Sequence, residues 1–484
     1  MEPLLNRIAE IGAQYPTRIA LGETQRTISY AALPQHLRDI SAELGALGIH
    51  RLAIYGDNTI DWALIDLAAM SSNIIVVPIP LFFSNAQIQH LCEASKVDAI
   101  FADRPFPTSM DTKISAKTLN GYFMKLPVSL ESPTAPPFQK ITFTSGSTGD
   151  PKGACLSTDT LLTITSSLAS ALTSSELGSH LCLLPFSTLL ENVAGIYLPL
   201  WMGRTVCIDS PTKLGLLSNH QFDTQIFCNQ VEATGAESVI LLPQMLKDII
   251  ERGDAMRLKA LKFIAVGGGK VAPELLHRAH QAGLKVYEGY GLTECGSCVA
   301  LNTPEATRIG SVGKPLPHAR VRVSDDGEIW VTGAAMRGYL ADTVTLSEIA
   351  TGDAGHLDED GFLYVTGRIK NVLVSSFGRN ISPEWIEGQL LSVPEIEQAI
   401  VFGEAQPQLS AALVLDDAIS DERLRSLIQK VNARLPDYAH IMSWTRTSRR
   451  FSVEDGTMTD TGKPRRDRIA HRYEAASRQQ EVAA

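Results

Sequence analysis

The spacing of apolar positions changes repeatedly along the chain, and each change predicts an element. Residues 31–47 place apolar side chains at helical spacing, 51–55 read as a strand, and 62–70 are helical again. The β-branched run 74–77 follows as another strand, so the first hundred residues alternate in the manner of a parallel α/β layer. Residues 103–137 hold six prolines and little periodicity, which predicts a loose surface segment. Alternation resumes over 140–291. Between 307 and 366 short strands, at 319–323 and 328–332, are separated by Gly- and Asp-rich turns. A final unit mixes strands (372–375, 398–403, 411–415) with helices (383–392, 420–434). The predicted fold class is α/β. A large N-terminal domain of α/β layers with a β-rich subdomain spans residues 1–369, and a small α+β domain spans 370–484.

Composition narrows the function classes. At 484 residues the chain exceeds one ordinary domain, as the pattern already requires. A formal net charge of −10 argues against nucleic acid or an anionic membrane as the main partner. No apolar run reaches the ~20 residues of a membrane helix, and the best candidate, 74–83, is broken by Pro78 and Pro80. The N-terminus has no signal-peptide core, and seven cysteines show no framework spacing. Reduced thiols and a cytoplasmic location are expected.

One segment carries chemistry. Ile141-Thr-Phe-Thr-Ser-Gly-Ser-Thr-Gly-Asp-Pro-Lys-Gly153 begins as a strand and then loses bulk. Gly146, Gly149 and Gly153 permit close backbone approach; Thr144, Ser145, Ser147 and Thr148 offer hydroxyls, and Lys152 adds a cation. Such a loop suits a polyphosphate. It is not a Walker A loop, because Pro151 stands where the glycine before the lysine belongs.

The loop resembles the phosphate-binding signature of the acyl-adenylate-forming superfamily, which contains acyl-CoA synthetases, adenylation domains and luciferases. Tyr290-Gly-Leu-Thr-Glu294, Thr351-Gly-Asp353, Thr366-Gly-Arg-Ile-Lys-Asn371 and Thr461-Gly-Lys-Pro-Arg-Arg466 follow in that superfamily's order. The resemblance implies ATP and Mg²⁺. Tyr290 lies against adenine, Thr293 bonds the α-phosphate, and Glu294 is the metal ligand. Asp353 holds the ribose and Arg368 assists at ribose or phosphate. Gly267, Gly268 and Gly269 wall the adenine and carboxylate, and Glu288, Gly289 and Gly291 belong to the same nucleotide site. Lys463 is the catalytic lysine, acting with Thr293 and Glu294. Lys370 is the hinge of a mobile C-terminal domain, and Gly378 lines the thiol tunnel.

Leu184-Pro-Phe-Ser-Thr-Leu-Leu-Glu-Asn-Val193 looks most like the pocket segment of fatty acyl-CoA synthetases, although Thr188 replaces a usual histidine. Thr188, Leu189 and Gly268 are the expected acyl-pocket residues. The expected reaction activates a carboxylic acid, fatty by this resemblance, and passes the acyl group to CoA or a phosphopantetheinyl acyl carrier protein. An aryl or other small acid is the alternative. A different class, an NAD(P)-dependent oxidoreductase, would use Gly267-Gly-Gly-Lys-Val-Ala272, a loose dinucleotide fingerprint with Glu288 at the end of the next strand. Cys295 and Cys298 read as ordinary thiols near the pocket. Arg446, Arg449, Arg450, Arg465, Arg466 and Arg468 form a basic stretch that either receives the acyl acceptor or is simply solvated.

Overall fold

The helix Ile60–Ser71 explains much of the architecture, because nearly all of its side chains are buried. A helix so largely apolar lies inside the protein, and its two acids, Asp61 and Asp66, are paired there with Arg26 and Lys140. Thr59 caps it, accepting from the Trp62 amide at 3.1 Å. It packs on the strands Arg51–Tyr55 and Ile75–Pro78, and Trp62 meets Phe186 with ring centroids 5.3 Å apart. The computed structural model describes residues 1–107, 113–118, 120–126, 137–144, 151–173, 177–218, 221–340, 347–371, 373–374, 380–404, 406, 408–436, 439–459 and 463–481.

The large N-terminal part holds two sheets with parallel strands at their centres and antiparallel strands toward their edges. The first has seven strands, in the order Lys113–Thr118, Gly121–Lys125, Ala99–Ala102, Arg51–Tyr55, Ile75–Pro78, Lys140–Thr144, Lys152–Leu156. The second has nine and is centred on Ser179–Leu181, Ser238–Leu241, Phe263–Val266 and Val286–Tyr290, which pair in parallel, as Ser179–Leu181 also does with Thr205–Cys207. A four-stranded antiparallel sheet, Ala319–Val323, Glu328–Gly333, Ile349–Leu357 and Leu363–Arg368, follows. The smaller C-terminal part packs the helices Pro383–Leu391 and Asp421–Asn432 and the helix Arg466–Glu481 with a sheet of Gln398–Phe402, Leu409–Val414 and Ile441–Thr447. The fold is thus mixed α/β, as expected.

Two sequence expectations need correction, and the form of the pocket segment is new. Residues 103–137 are not wholly loose: Gly121–Lys125 pairs antiparallel with Ala99–Ala102 and covers that strand's free edge, with Lys113–Thr118 outside it. Pairing along a sheet edge satisfies backbone groups whatever the side-chain period, so the pattern hid it. The pocket segment starts as one short turn of α-helix, Leu189–Glu191, and continues as a π-helix over Asn192–Tyr197. Glu288 stands inside the strand Val286–Tyr290, opposite Val266, rather than at a strand's end.

Candidate active site

Ligands of open α/β sheets gather beyond the carboxyl ends of parallel strands. Here Gly267–Gly269 leave the strand Phe263–Val266 and Gly291 follows Val286–Tyr290, both on one continuous cleft of about 2860 Å³. Gly268 has φ +78°, a conformation glycine tolerates best. A Cβ on Gly291 would sit 1.9 Å from the Ser297 carbonyl oxygen, so no larger residue fits that turn.

Asp353 and Arg368 are directly opposed in the antiparallel ladder, and this register joins Arg368 Nε to Asp353 Oδ1 at 2.8 Å. Tyr290 Oη donates to the other carboxylate oxygen at 2.6 Å, and Arg368 Nη1 donates to the Thr351 carbonyl at 3.1 Å. Burial raises the Asp353 pKa, and Arg368 and the Tyr290 hydroxyl oppose the rise. Three residues from separate motifs thus form one hydrogen-bonded wall.

A second wall contains Glu294, in the turn Thr293–Cys295 with Thr293. Tyr339 Oη donates to Glu294 Oε1 at 2.7 Å, the Met336 amide donates to the Glu294 carbonyl, and Lys152 Nζ lies 5.7 Å from the Tyr339 ring centroid. Tyr339 bridges to Ala154, so the strand Lys152–Leu156 carries both groups toward the cleft. Thr144 ends the preceding strand. Ser145, Gly146, Ser147, Thr148 and Gly149 lie outside the described residues, as does Gly378. A half-exposed carboxylate lining the cleft is an oxygen donor of the kind Mg²⁺ accepts, so Glu294 fits that ion.

Lys463 arrives from the C-terminal part and lines the same cleft. Its amide donates to Thr459 Oγ1 at 3.0 Å, and its carbonyl accepts from the Thr459 amide at 2.7 Å, closing a tight loop. The side chain is open to solvent through the cleft yet crowded by protein. Desolvation and Arg368 lower its pKa, while Asp353 and Glu294 oppose the fall. Lys370 lies in the turn Ile369–Asn371 and also faces the cleft.

The basic stretch is mostly neutralised within its own part of the fold. Arg466 reaches both oxygens of Glu387, at 2.6 and 2.5 Å, Arg446 pairs with Asp421 at 2.7 Å, and Arg450 pairs with Glu397 at 2.8 Å. Arg449 comes within 3.8 Å of Asp455. These pairings leave less free charge for an acceptor than the sequence alone implied.

An apolar limb opens from the cleft. Ile240, Ala265, Phe263 and Gly289 line it from the sheet, Ala194 from the π-helix, and Leu190 and Leu198 from the α-helical turns before and after it. Thr188, Leu189 and Gly268 line the cavity as well. Glu288 is buried, and that burial raises its pKa to about 8 against the Val271 amide and Lys270. A carboxyl turned inward to hold the Gly-rich loop is unlike the exposed acid a dinucleotide ribose requires. All seven cysteines are free thiols, and burial pushes Cys298 up to about 12. Sequence reasoning missed Tyr339, Lys270 and Phe263. Tyr339 had only the faint signal of an aromatic beside Gly338.

With this geometry in place, the comparisons define the class. The family model described as AMP-binding enzyme matches residues 8–340, and that of the AMP-binding enzyme C-terminal domain matches residues 370–478. The chain belongs to the AMP-binding enzymes and is an AMP-forming acid–thiol ligase. It is 25% identical to a long-chain-fatty-acid–CoA ligase, FadD15, of Mycobacterium bovis, over 92% of this chain and 91% of that one. It is 27% identical to a 2-succinylbenzoate–CoA ligase of Bacillus mycoides, over 89% and 93% of the two chains. Its fold is similar to that of o-succinylbenzoate CoA synthetase (MenE) from Bacillus subtilis in complex with its acyl-adenylate, at a TM-score of 0.77 and 22% identity, covering 96% and 97%. The oxidoreductase alternative is thereby set aside. Among the described residues no helix is long and apolar enough to cross a membrane.

Proposed function

We propose that the enzyme adenylates an elongated aliphatic carboxylic acid and passes the acyl group to the thiol of CoA, a carrier protein being the second candidate acceptor. The observation that carries this reading is the apolar lining of the same cleft that holds the wall of Tyr290, Asp353 and Arg368. Ile240, Phe263, Ala265, Leu190, Ala194 and Leu198 give that lining no charge, which suits an aliphatic chain. A second reading, a compact aryl acid, is supported by the 2-succinylbenzoate ligases among the relatives.

In this reading ATP lies between the 144–153 loop and Tyr290, with its ribose on Asp353 and Arg368. Mg²⁺ on Glu294 would neutralise phosphate charge. The substrate carboxylate attacks the α-phosphorus, the bond to the bridging oxygen of pyrophosphate breaks, and Lys463 offsets the charge that builds. The acceptor thiolate then attacks the acyl carbonyl, AMP leaves, and a thioester remains. We place the domain boundary at 369/370, with Lys370 as hinge and Gly378 at the thiol entrance.

Pyrophosphate release against a panel of fatty, aryl and amino acids, followed by CoA or carrier protein, tests the assignment. Ala194→Phe adds bulk to the limb's roof. Its kcat/KM for a twelve-carbon acid should fall at least about tenfold while that for a four-carbon acid changes little. Equal losses on both acids would refute the limb as the acyl site.

A further inference from the structure

Lys463 works only if the C-terminal part is held where its ammonium enters the cleft. Near residue 370 the helix Pro383–Leu391 packs on the strand Leu363–Arg368 and Ser382 Oγ donates to the Thr366 carbonyl at 2.7 Å; two further contacts among the described residues lie elsewhere. The pair between Arg434 and Glu274 is long, at 3.6 Å, and more than a third exposed on both sides, so water and salt screen it. Lys247, on the helix Pro243–Arg252, is different. The residue is only 7% exposed, and its Nζ donates to the main-chain carbonyl of Ile396 at 2.7 Å. The nearest carboxylate oxygen, on Glu251, lies 3.8 Å away. An ammonium withdrawn from water bonds strongly to any well-placed carbonyl, because little else compensates its lost hydration.

The carbonyl it grips is tied to the catalytic arm. Ile396 is fully buried in the C-terminal core, and the next residue's amide donates to Val414 at 2.8 Å. Two residues on, the Gln398 side chain accepts from the Phe451 amide at 2.7 Å and donates to the Phe451 carbonyl at 3.3 Å. Arg450 is fastened to Glu397 beside it. Phe451 opens the turn whose Thr457 and Met458 fold back on Ser452, and Arg465 and Pro464 return onto Thr457 and Met458. Lys463 sits in that return. Rigid links therefore run from Lys247 through Ile396, Gln398 and Phe451 to Lys463.

We infer that Lys247 is a positioning residue for acyl-adenylate formation, a clamp from the N-terminal part that sets the height of Lys463 in the cleft. The inference rests on the proposed adenylation reaction and on the position of Lys463 within it. Lys247 touches neither nucleotide nor acid in this account. Its removal should slow the step that uses Lys463 and spare the step that does not.

The test compares Lys247→Met, which keeps the aliphatic stem, with Lys247→Arg, which keeps a cationic donor. Pyrophosphate exchange by Lys247→Met should lose between tenfold and on the order of a hundredfold in kcat, the scale of a misplaced catalytic group, with the KM for ATP unchanged. Conversion of a supplied acyl-adenylate to thioester should stay within twofold of the unaltered enzyme, and Lys247→Arg should recover most of the exchange rate. Exchange at the unaltered rate in Lys247→Met would overturn the inference. So would an equal loss in both half-reactions, the mark of general misfolding, or a rise in the KM for ATP at constant kcat. Absence of exchange in the unaltered enzyme would instead refute the proposed reaction.

Discussion

Lys463→Ala should slow pyrophosphate exchange on the order of a hundred- to a thousandfold, the cost of removing one preorganised donor from a developing charge. The expectation follows from the company the ammonium keeps. Asp353 and Glu294 attract it, Arg368 repels it, and the surrounding protein strips part of its water. A cation so placed is poised for new negative charge between the acid and the α-phosphorus, because its existing counter-charges are already shared with Arg368, Tyr290 and Tyr339. ATP affinity should change less than the rate, since Asp353 and Arg368 keep their ladder contact without Lys463. Thioester formation from a supplied acyl-adenylate should survive, because no phosphorus bond is made in that step. Lys463→Arg should recover little: the guanidinium is a wide planar fork, and the loop closed by Thr459 holds the backbone at a fixed distance. Parallel measurement of exchange and transfer rates decides the matter, and loss of both to the same extent would remove Lys463 from its assigned step.

The grouping of the cleft's polar residues was legible where they are contiguous in sequence. Tyr290-Gly-Leu-Thr-Glu294 runs from the end of a strand into the next turn and supplies one residue to each wall, and the close packing at Gly291 leaves no room for a side chain there. Contacts set by ladder register were not legible. Nothing in the local sequence opposes Asp353 to Arg368; that follows from a hairpin with an irregular register near Ala354. Tyr339 joins Glu294 to Lys152 only because residues 336–340 lie along the strand Lys152–Leu156. The basic tail misled for a related reason. Charge counted along the chain cannot show that Arg466 is consumed by Glu387, which precedes it by 79 residues. Residues 113–125 escaped because a covering edge strand needs backbone pairing more than alternation. Periodicity reports longer runs that face a core; Phe123 and Met124 are buried in two different core clusters, and two adjacent residues make no period.

Lys140 is the other residue whose importance lies outside its neighbourhood in sequence, and its replacement carries the largest stability prediction. At the start of a strand it looks like a solvated lysine, yet both it and Asp66 are 0% exposed. The ammonium donates to Asp66 Oδ1 at 2.7 Å, Asn192 Oδ1 at 2.5 Å and Tyr197 Oη at 2.8 Å, so all three of its protons are used. Tyr197 and Asn192 donate in turn to Asp66 Oδ2, at 2.6 and 3.1 Å. Burial lowers the Lys140 pKa, and the Asp66 charge opposes the fall. This network also accounts for the π-helix. Asn192 and Tyr197 stand five apart, and in an α-helix they would point about 140° away from each other. The wider π turn brings both to one side, where the buried ion needs them. Lys140→Met should therefore destabilise the enzyme by about 3–5 kcal/mol, because it leaves Asp66 charged and without its counter-ion. Denaturant midpoints at unchanged m would record the loss. Lys140→Met combined with Asp66→Leu should recover much of it, since no charge remains to be stranded, and a double mutant as unstable as the single would refute the ion-pair account. Ala194, on the roof of the apolar limb, belongs to the same π segment. The recovered double mutant should thus fold yet show altered acyl chain-length preference, separating what the buried ion does for stability from what it does for the shape of the acid site.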